Sequence, residues 1–149
     1  MNSARSILVA TDFSDISERA TAYAVDLARQ IGARVTFLHV YEIPVSSFFD
    51  GALAATADLA SAVSAAADRA MATLVAKQKA SGDPVEGMVR VGPPADEAHR
   101  VAEEVNADLI VVGTHGRRGL ARALLGSVAE IVVRTSTRPV MVVPSAQTA

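Results

Sequence analysis

The chain contains no cysteine and no tryptophan, and lysine occurs only at Lys77 and Lys79. Without cysteine there are no disulfides, thiolate zinc sites, iron–sulfur clusters or cysteine nucleophiles, and the composition suits a reducing cytoplasm. Aromatic residues make up 4% of the sequence, too few for the stacking platforms that bind single-stranded nucleic acid. A net charge of −2 gives no global attraction to nucleic acid or to anionic lipid. Long apolar runs are also missing. The stretch from Ala52 to Ala80 is interrupted by Asp58, Asp68, Arg69, Lys77 and Lys79, which argues against a membrane span. After Arg5 the apolar run from Ile7 to Ala10 is too short for a signal peptide. The expectation is a soluble cytoplasmic protein with neither nucleic acid nor membrane as partner.

Half of the 149 residues are hydrophobic. A chain of roughly 150 residues forms one domain by default and can bury around 68–70% of its unfolded surface, so residues 1–149 are read as one domain. Ile7-Leu8-Val9-Ala10 is a strand of the kind buried on both faces. Ser14 can cap the next helix, whose apolar face is expected at Ile16, Ala20, Tyr23, Leu27 and Ile31 before Gly32 stops it. Val35 to Val40 is β-branched and apolar, a second strand. A loop from Tyr41 to Gly51 carries Phe48-Phe49, read as a small packing cluster of its own. It leads to an Ala-rich helix with a stripe at Leu59, Val63, Ala67, Ala70 and Leu74. Ser81-Gly82-Asp83-Pro84 breaks that helix.

Val85 to Val91 reads as a strand, and Gly92-Pro93-Pro94 turns it into a helix buried through Ala98, Val101, Ala102 and Val105. Asp108 to Gly113 is the next strand, and a helix beginning near Ser127 should face inward through Val128, Ile131 and Val132. Val140 to Val143, between Pro139 and Pro144, closes the chain as a strand. Apolar strands alternating with amphipathic helices predict a doubly wound α/β domain: a five-stranded parallel sheet, order 3-2-1-4-5, with helices on both faces.

Ligands in such folds bind beyond the carboxyl ends of the strands. The informative end is the fourth, Gly113-Thr114-His115-Gly116, then nine residues, then Gly126-Ser127 at a helix start. Glycines let backbone N–H groups approach a ligand, and the helix N-terminus favours anions. Between Gly113 and Pro139 there are five arginines, Arg117, Arg118 and Arg122 among them, against the single acid Glu130. That pattern suits a phosphate. Simpler readings stand beside it: Gly113 and Gly116 as a tight turn, Gly126 as a close packing contact, Ser127 as an N-cap, the arginines as a solvated loop, and Asp12 as a helix cap or ion-pair partner. A P-loop would need a lysine that the segment does not have, and no G-x-G-x-x-G follows any strand. A phosphoryl-receiver domain would need an aspartate where the third strand ends in Arg90-Val91-Gly92. His115, His39 and His99 are isolated from one another and read as structural; they form no metal-ligand cluster.

The sequence resembles the universal stress protein family over nearly its whole length, through Thr11-Asp12-Phe13-Ser14, Gly92-Pro93, Asp108 to Gly116, Gly126-Ser127 and Pro139 to Val143. Gly113, Gly116, Gly126 and Ser127 match the G-x-x-G, nine-residue, G-[ST] pattern of its nucleotide-binding branch. The resemblance implies ATP, with Mg²⁺ brought by its phosphates, as the ligand. It implies that the glycine loop holds the triphosphate, that Ser127 contacts a terminal phosphate, and that Asp12 and Val40 lie by the ribose and adenine. The charge of the loop adds Arg117 and Arg118 to the expected phosphate contacts. Thr11 stands where some relatives carry a small or apolar residue. The expected function is a nucleotide-responsive stress regulator with an unidentified downstream protein partner, a binder with at most slow ATP hydrolysis rather than an enzyme. A nucleotide-independent dimeric interaction protein is the rival reading. The H-x-G-H and S-G-G-x-[DE]-S signatures of related adenylating enzymes do not occur. Val140 to Val143, apolar and free of lysine, should be an unblunted sheet edge through which two copies pair.

Overall fold

The computed structural model describes the backbone of residues 5–43, 53–114 and 125–145, and the side chains of all of these except 53–56. Nine elements alternate along them: β1 (Ser6–Ala10), α1 (Asp15–Ile31), β2 (Arg34–Tyr41), α2 (Leu53–Ala80), β3 (Val85–Val91), α3 (Pro94–Glu104), β4 (Leu109–Gly113), α4 (Ser127–Thr135) and β5 (Val140–Val143). The strands form one sheet in the order β3-β2-β1-β4-β5, every pair parallel. This is the expected doubly wound α/β fold. Its central strands show why they read as continuous apolar runs: Ile7, Leu8, Val9, Ile110 and Val111 are all fully buried, because helices cover both faces. Ile7, Val9, Phe37 and Val111 point into the layer under α1 and α2. Leu8, Leu38, Ile110 and Val112 point into the layer under α3 and α4.

Helix α1 starts where Ser14 accepts a hydrogen bond from the Ser17 N–H, and ends at Gly32, whose φ of 70° is left-handed. Both ends follow from capping chemistry. Its buried face differs from the expected one. Ser17, Ala20, Thr21, Ala24, Val25 and Ala28 are buried, while Tyr23 and Ile31 are exposed. Small residues let the helix axis sit close to the sheet, so the contact centres on the alanine row and the larger side chains move to the rim. In α4 the same correction applies: Ala129 and Val132 are buried, whereas Val128 and Ile131 lie outside. Helix α2 is bound to the sheet through its C-terminal half. Ala67 and Met71 are buried, but Leu59 and Val63 of the expected stripe are exposed. The reason is length. Its 28 residues make a rod of about 42 Å, and the seven residues of β3 span only about 23 Å. A Cβ on Gly87 of β3 would lie 2.6 Å from Met71 Sδ, so this glycine permits the close approach of α2. By length and mean hydropathy, residues 57–80 of α2 are apolar enough to cross a membrane, a property the interrupting charges do not remove. In this fold that helix lies along β3.

An ion pair fastens the lower end of α1 to the start of β3. Arg29 Nε and Nη2 each donate to one oxygen of the buried Asp83, both at 2.7 Å. Hydrogen bonding from Arg29 holds the Asp83 carboxyl below its ordinary range. A carboxylate lowered in the folded state stabilises the fold above the ordinary value of about 3.9, and that contribution is lost as pH falls through the lowered one. Asp83→Asn should therefore lower the melting temperature at neutral pH. The gap to the wild type should close on acidification below about pH 4 in a calorimetric pH series. A gap that persists unchanged in acid would assign the loss to packing instead of charge.

Candidate functional site

Strands β1 and β4 are neighbours at the centre of the sheet. From β1 the chain passes to α1 on one face, and from β4 it passes to α4 on the other. The connections diverge, so a crevice opens beyond the carboxyl ends of these two strands. Residues Ile7 to Val9 pair in register with Leu109 to Val111, and Ala10 pairs with Leu38. Continuing that register sets Thr11 level with Gly113, and Asp12 level with Val40. Thr11, Asp12, Val40, Gly113, Gly126 and Ser127 thus gather around one crevice. Gly116, Arg117, Arg118, His115 and Arg122 lie outside the described residues, as does the Phe48-Phe49 pair.

One wall of the crevice is the β1–α1 turn. The Thr11 N–H continues the sheet by donating to the Leu38 carbonyl at 2.8 Å. Asp12 accepts at Oδ1 from the Ser14 N–H at 3.0 Å and from the Ser14 hydroxyl. Asp12 therefore holds the capping residue and is not itself the cap. Between them Phe13 takes φ of 62°, a conformation uncommon for any residue but glycine. The Phe13 N–H donates to Thr11 Oγ1 at 3.0 Å, and its ring lies against His39, centroids 4.5 Å apart. His39 Nδ1 contacts the Thr11 carbonyl at 2.8 Å. The carbonyl can only accept, so Nδ1 carries the proton. His39 is structural, as expected. The part it plays in this turn, together with Ser17, was not legible in the sequence; a hydroxyl residue six places after Thr11 is the only trace of it.

The opposite wall is the start of α4. The Thr114 N–H donates to the Val143 carbonyl, and the Gly126 N–H donates to the Thr114 carbonyl, which clamps the helix start to the β4 exit. Gly126 is the N-cap, with φ of −60° and ψ of 154°, and as a glycine it makes no side-chain capping bond of its own. Any residue can adopt those angles. What the glycine provides is the absence of a side chain beside the first-turn N–H groups. Ser127 is the first helical residue and exposed, so its hydroxyl is not an N-cap. The first-turn amides and the positive end of the helix dipole face the crevice, an arrangement that fits an anionic group.

Two of the five arginines fall away from this crevice. Arg134 pairs with Glu130 along α4, and Arg138 Nη1 donates to the Ala107 carbonyl at the opposite end of the sheet. The other three, Arg117, Arg118 and Arg122, are outside the described residues. Among the described residues no group of three or more His, Asp or Glu side chains could hold a metal ion. A groove of about 440 Å³ lies behind the turn, between α1 and α2, with Thr11, Ser17, Thr21 and Leu74 in its lining.

A five-stranded parallel sheet in the order β3-β2-β1-β4-β5 with helices on both faces defines the class of small doubly wound α/β domains. The chain matches the universal stress protein family over residues 3–144, and it belongs to that family. It is 35% identical over 140 residues to universal stress protein MJ0531 of Methanocaldococcus jannaschii, covering 93% of this chain and 81% of that protein. Universal stress protein MJ0577 of the same organism is 30% identical, with 93% and 94% covered. The solved structure of MJ0577 superimposes with a TM-score of 0.84 at 29% identity, covering 99% of this chain and all of that one. A universal stress protein solved in complex with cAMP superimposes at 0.62, 32% identical, with 97% and 100% covered. The universal stress protein from Archaeoglobus fulgidus in complex with dAMP gives 0.63 at 26% identity, with 95% and 98% covered.

Proposed function

We propose that this universal stress protein binds an adenine nucleotide, ATP with Mg²⁺, in the crevice between the β1–α1 turn and the start of α4, and acts as a nucleotide-responsive regulator in the cytoplasm. The observation that carries the reading is the gathering of Thr11, Asp12 and Val40 opposite the Gly126–Ser127 helix start, whose N-cap residue carries no side chain. Binding of cAMP and of dAMP by two relatives of the same fold supports an adenine nucleotide as the ligand class. In this reading Gly113, Gly116 and Gly126 leave room for phosphates, and the α4 amides and the Ser127 hydroxyl donate to them. Asp12 takes the ribose, and Val40 borders the base. Arg117 and Arg118 supply positive charge, and Mg²⁺ on the phosphates neutralises part of theirs. Binding rather than catalysis is the function, with ATP hydrolysis at most slow, since a preorganised anion site stabilises charge without a dedicated base. A downstream protein would read the occupied state. Chromatography of nucleotide released from denatured protein, followed by calorimetric titration with Mg-ATP and with cAMP, tests this. Empty protein that also gives no heat with either ligand would overturn it.

The arginines give a separate test. Arg117→Ala with Arg118→Ala should weaken ATP more than adenosine, and the loss should shrink as salt rises, because exposed charges are screened over about 8 Å at physiological ionic strength. Equal losses for both ligands would mean that the arginines act through loop structure.

We also propose that two copies pair through β5. Strand β5 is the sheet edge, and Val140, Met141 and Val142 remain only half-buried in the single chain. Leu125, Val128 and Ile131 form an exposed apolar row at and along the neighbouring helix α4. An apolar edge beside an apolar helix face favours a covered interface.

A further inference from the structure

The β1–α1 turn is held by a closed set of hydrogen bonds centred on one residue. Thr11 is buried, and each of its polar groups is engaged: its N–H by Leu38, its carbonyl by His39 and its hydroxyl by Phe13 and Ser17. The proton count orients the network. Ser17 has one hydroxyl proton, and it goes to the Ser14 carbonyl at 3.0 Å. At the 3.1 Å contact between the two hydroxyls Thr11 is therefore the donor. Thr11 Oγ1 donates to Ser17 and accepts from the Phe13 N–H, two bonds that serine could also make and valine could not. Beyond Ser17 the set continues through Ser14, whose N–H and hydroxyl both reach Asp12 Oδ1. His39, with the Phe13 ring tilted against it at 4.5 Å and the Tyr41 ring stacked on it at 6.3 Å between centroids, closes it from the β2 side.

We infer that Thr11 is a positioning residue for nucleoside recognition: its hydroxyl keeps Phe13 in the left-handed conformation and thereby aims Asp12 at the ribose. The inference rests on the nucleotide reading above and deepens it. Thr11 touches no ligand through its hydroxyl in this scheme and acts through its neighbours. Removing the hydroxyl leaves the half-buried Phe13 N–H and the buried Ser17 oxygen without this partner, and the turn relaxes toward the extended backbone an aromatic residue prefers. Asp12 then swings away, while the α4 start on the opposite wall is unaffected.

The test is calorimetric titration of wild type, Thr11→Val and Thr11→Ser with Mg-ATP, adenosine and inorganic triphosphate. Thr11→Val should lose about tenfold in affinity for both ATP and adenosine, the scale of one buried hydrogen bond, and keep wild-type affinity for triphosphate. Thr11→Ser should restore both nucleoside affinities. Equal losses for adenosine and triphosphate would show general loosening of the fold and overturn the inference, as would unchanged adenosine binding by Thr11→Val. If Thr11→Val does not fold, Ser17→Ala removes the acceptor of the Thr11 proton and is held to the same split between adenosine and triphosphate. A wild type that binds triphosphate but neither ATP nor adenosine would instead overturn the nucleotide reading, and this inference with it.

Discussion

Gly126→Val is expected to lower affinity for Mg-ATP by about tenfold or more, close to 1.4 kcal/mol, in a protein that still unfolds cooperatively. The glycine is the N-cap of α4 at φ −60° and ψ 154°, angles that valine adopts without strain. The substitution therefore does not act through the backbone conformation. It puts a β-branched side chain beside the first-turn N–H groups, where the phosphates would lie. Valine is a poorer cap than glycine, so some loss of stability accompanies it, on the order of 1 kcal/mol. Gly126 is also buried, its N–H clamped to the Thr114 carbonyl, which is the packing role the sequence left open beside the phosphate role. Gly126→Ala separates the two: it adds a single methyl and should cost less affinity than valine does. Gly116→Val should weaken ATP in the same way. Wild-type ATP affinity in a folded Gly126→Val protein would remove the α4 start from the binding site.

Val142→Pro is expected to convert the proposed dimer to a folded monomer in sedimentation velocity, whereas Met141→Pro should disrupt the sheet itself. The difference lies in which way the backbone groups of β5 point. The carbonyls of Pro139 and Val143 accept from the N–H groups of Ile110 in β4 and of Thr114 just beyond it. Alternation along a strand then turns Met141 toward β4, and Val140 and Val142 outward. Proline at Val142 deletes an outward donor, which edge strands tolerate. Proline at Met141 removes a bond inside the sheet. The extra apolar area on α4 should make the dimer resistant to salt, since burial of Val128 and Ile131 is not screened. An undisturbed dimer of Val142→Pro would move the interface off β5.

The strand-end crevice was legible because its ingredients are local. A buried strand is a run of apolar residues, a capped helix start is a Ser followed by acids, and a phosphate-sized opening is a pair of glycines before a helix. Gly113, Gly126 and Ser127 could therefore be chosen from their spacing and Thr11, Asp12 and Val40 as strand-end positions, the roles of Asp12 and Val40 coming from the family resemblance. The topology brings all six to one end of adjacent strands. The helix faces were not legible in the same way. Hydrophobic spacing favoured Tyr23, Ile31, Val128 and Ile131, but the sheet accepted the alanine rows instead, with Tyr23 53% and Ile131 48% exposed. How close a helix comes to a sheet depends on every side chain between them, and no single window of sequence contains that sum.

By itself the sequence determined the order of elements, the parallel sheet, the absence of thiol chemistry and the glycine pattern at the fourth strand end, since each depends on residues near one another in the chain. Tertiary structure alone decided the rest. It drew Arg134 and Arg138 away from the basic cluster, set Gly87 beneath Met71, and turned Val142 outward while Met141 faces β4. It also brought His39 and Ser17 onto Thr11. Those relations join residues on different elements, and only the packed fold brings such residues within hydrogen-bonding reach.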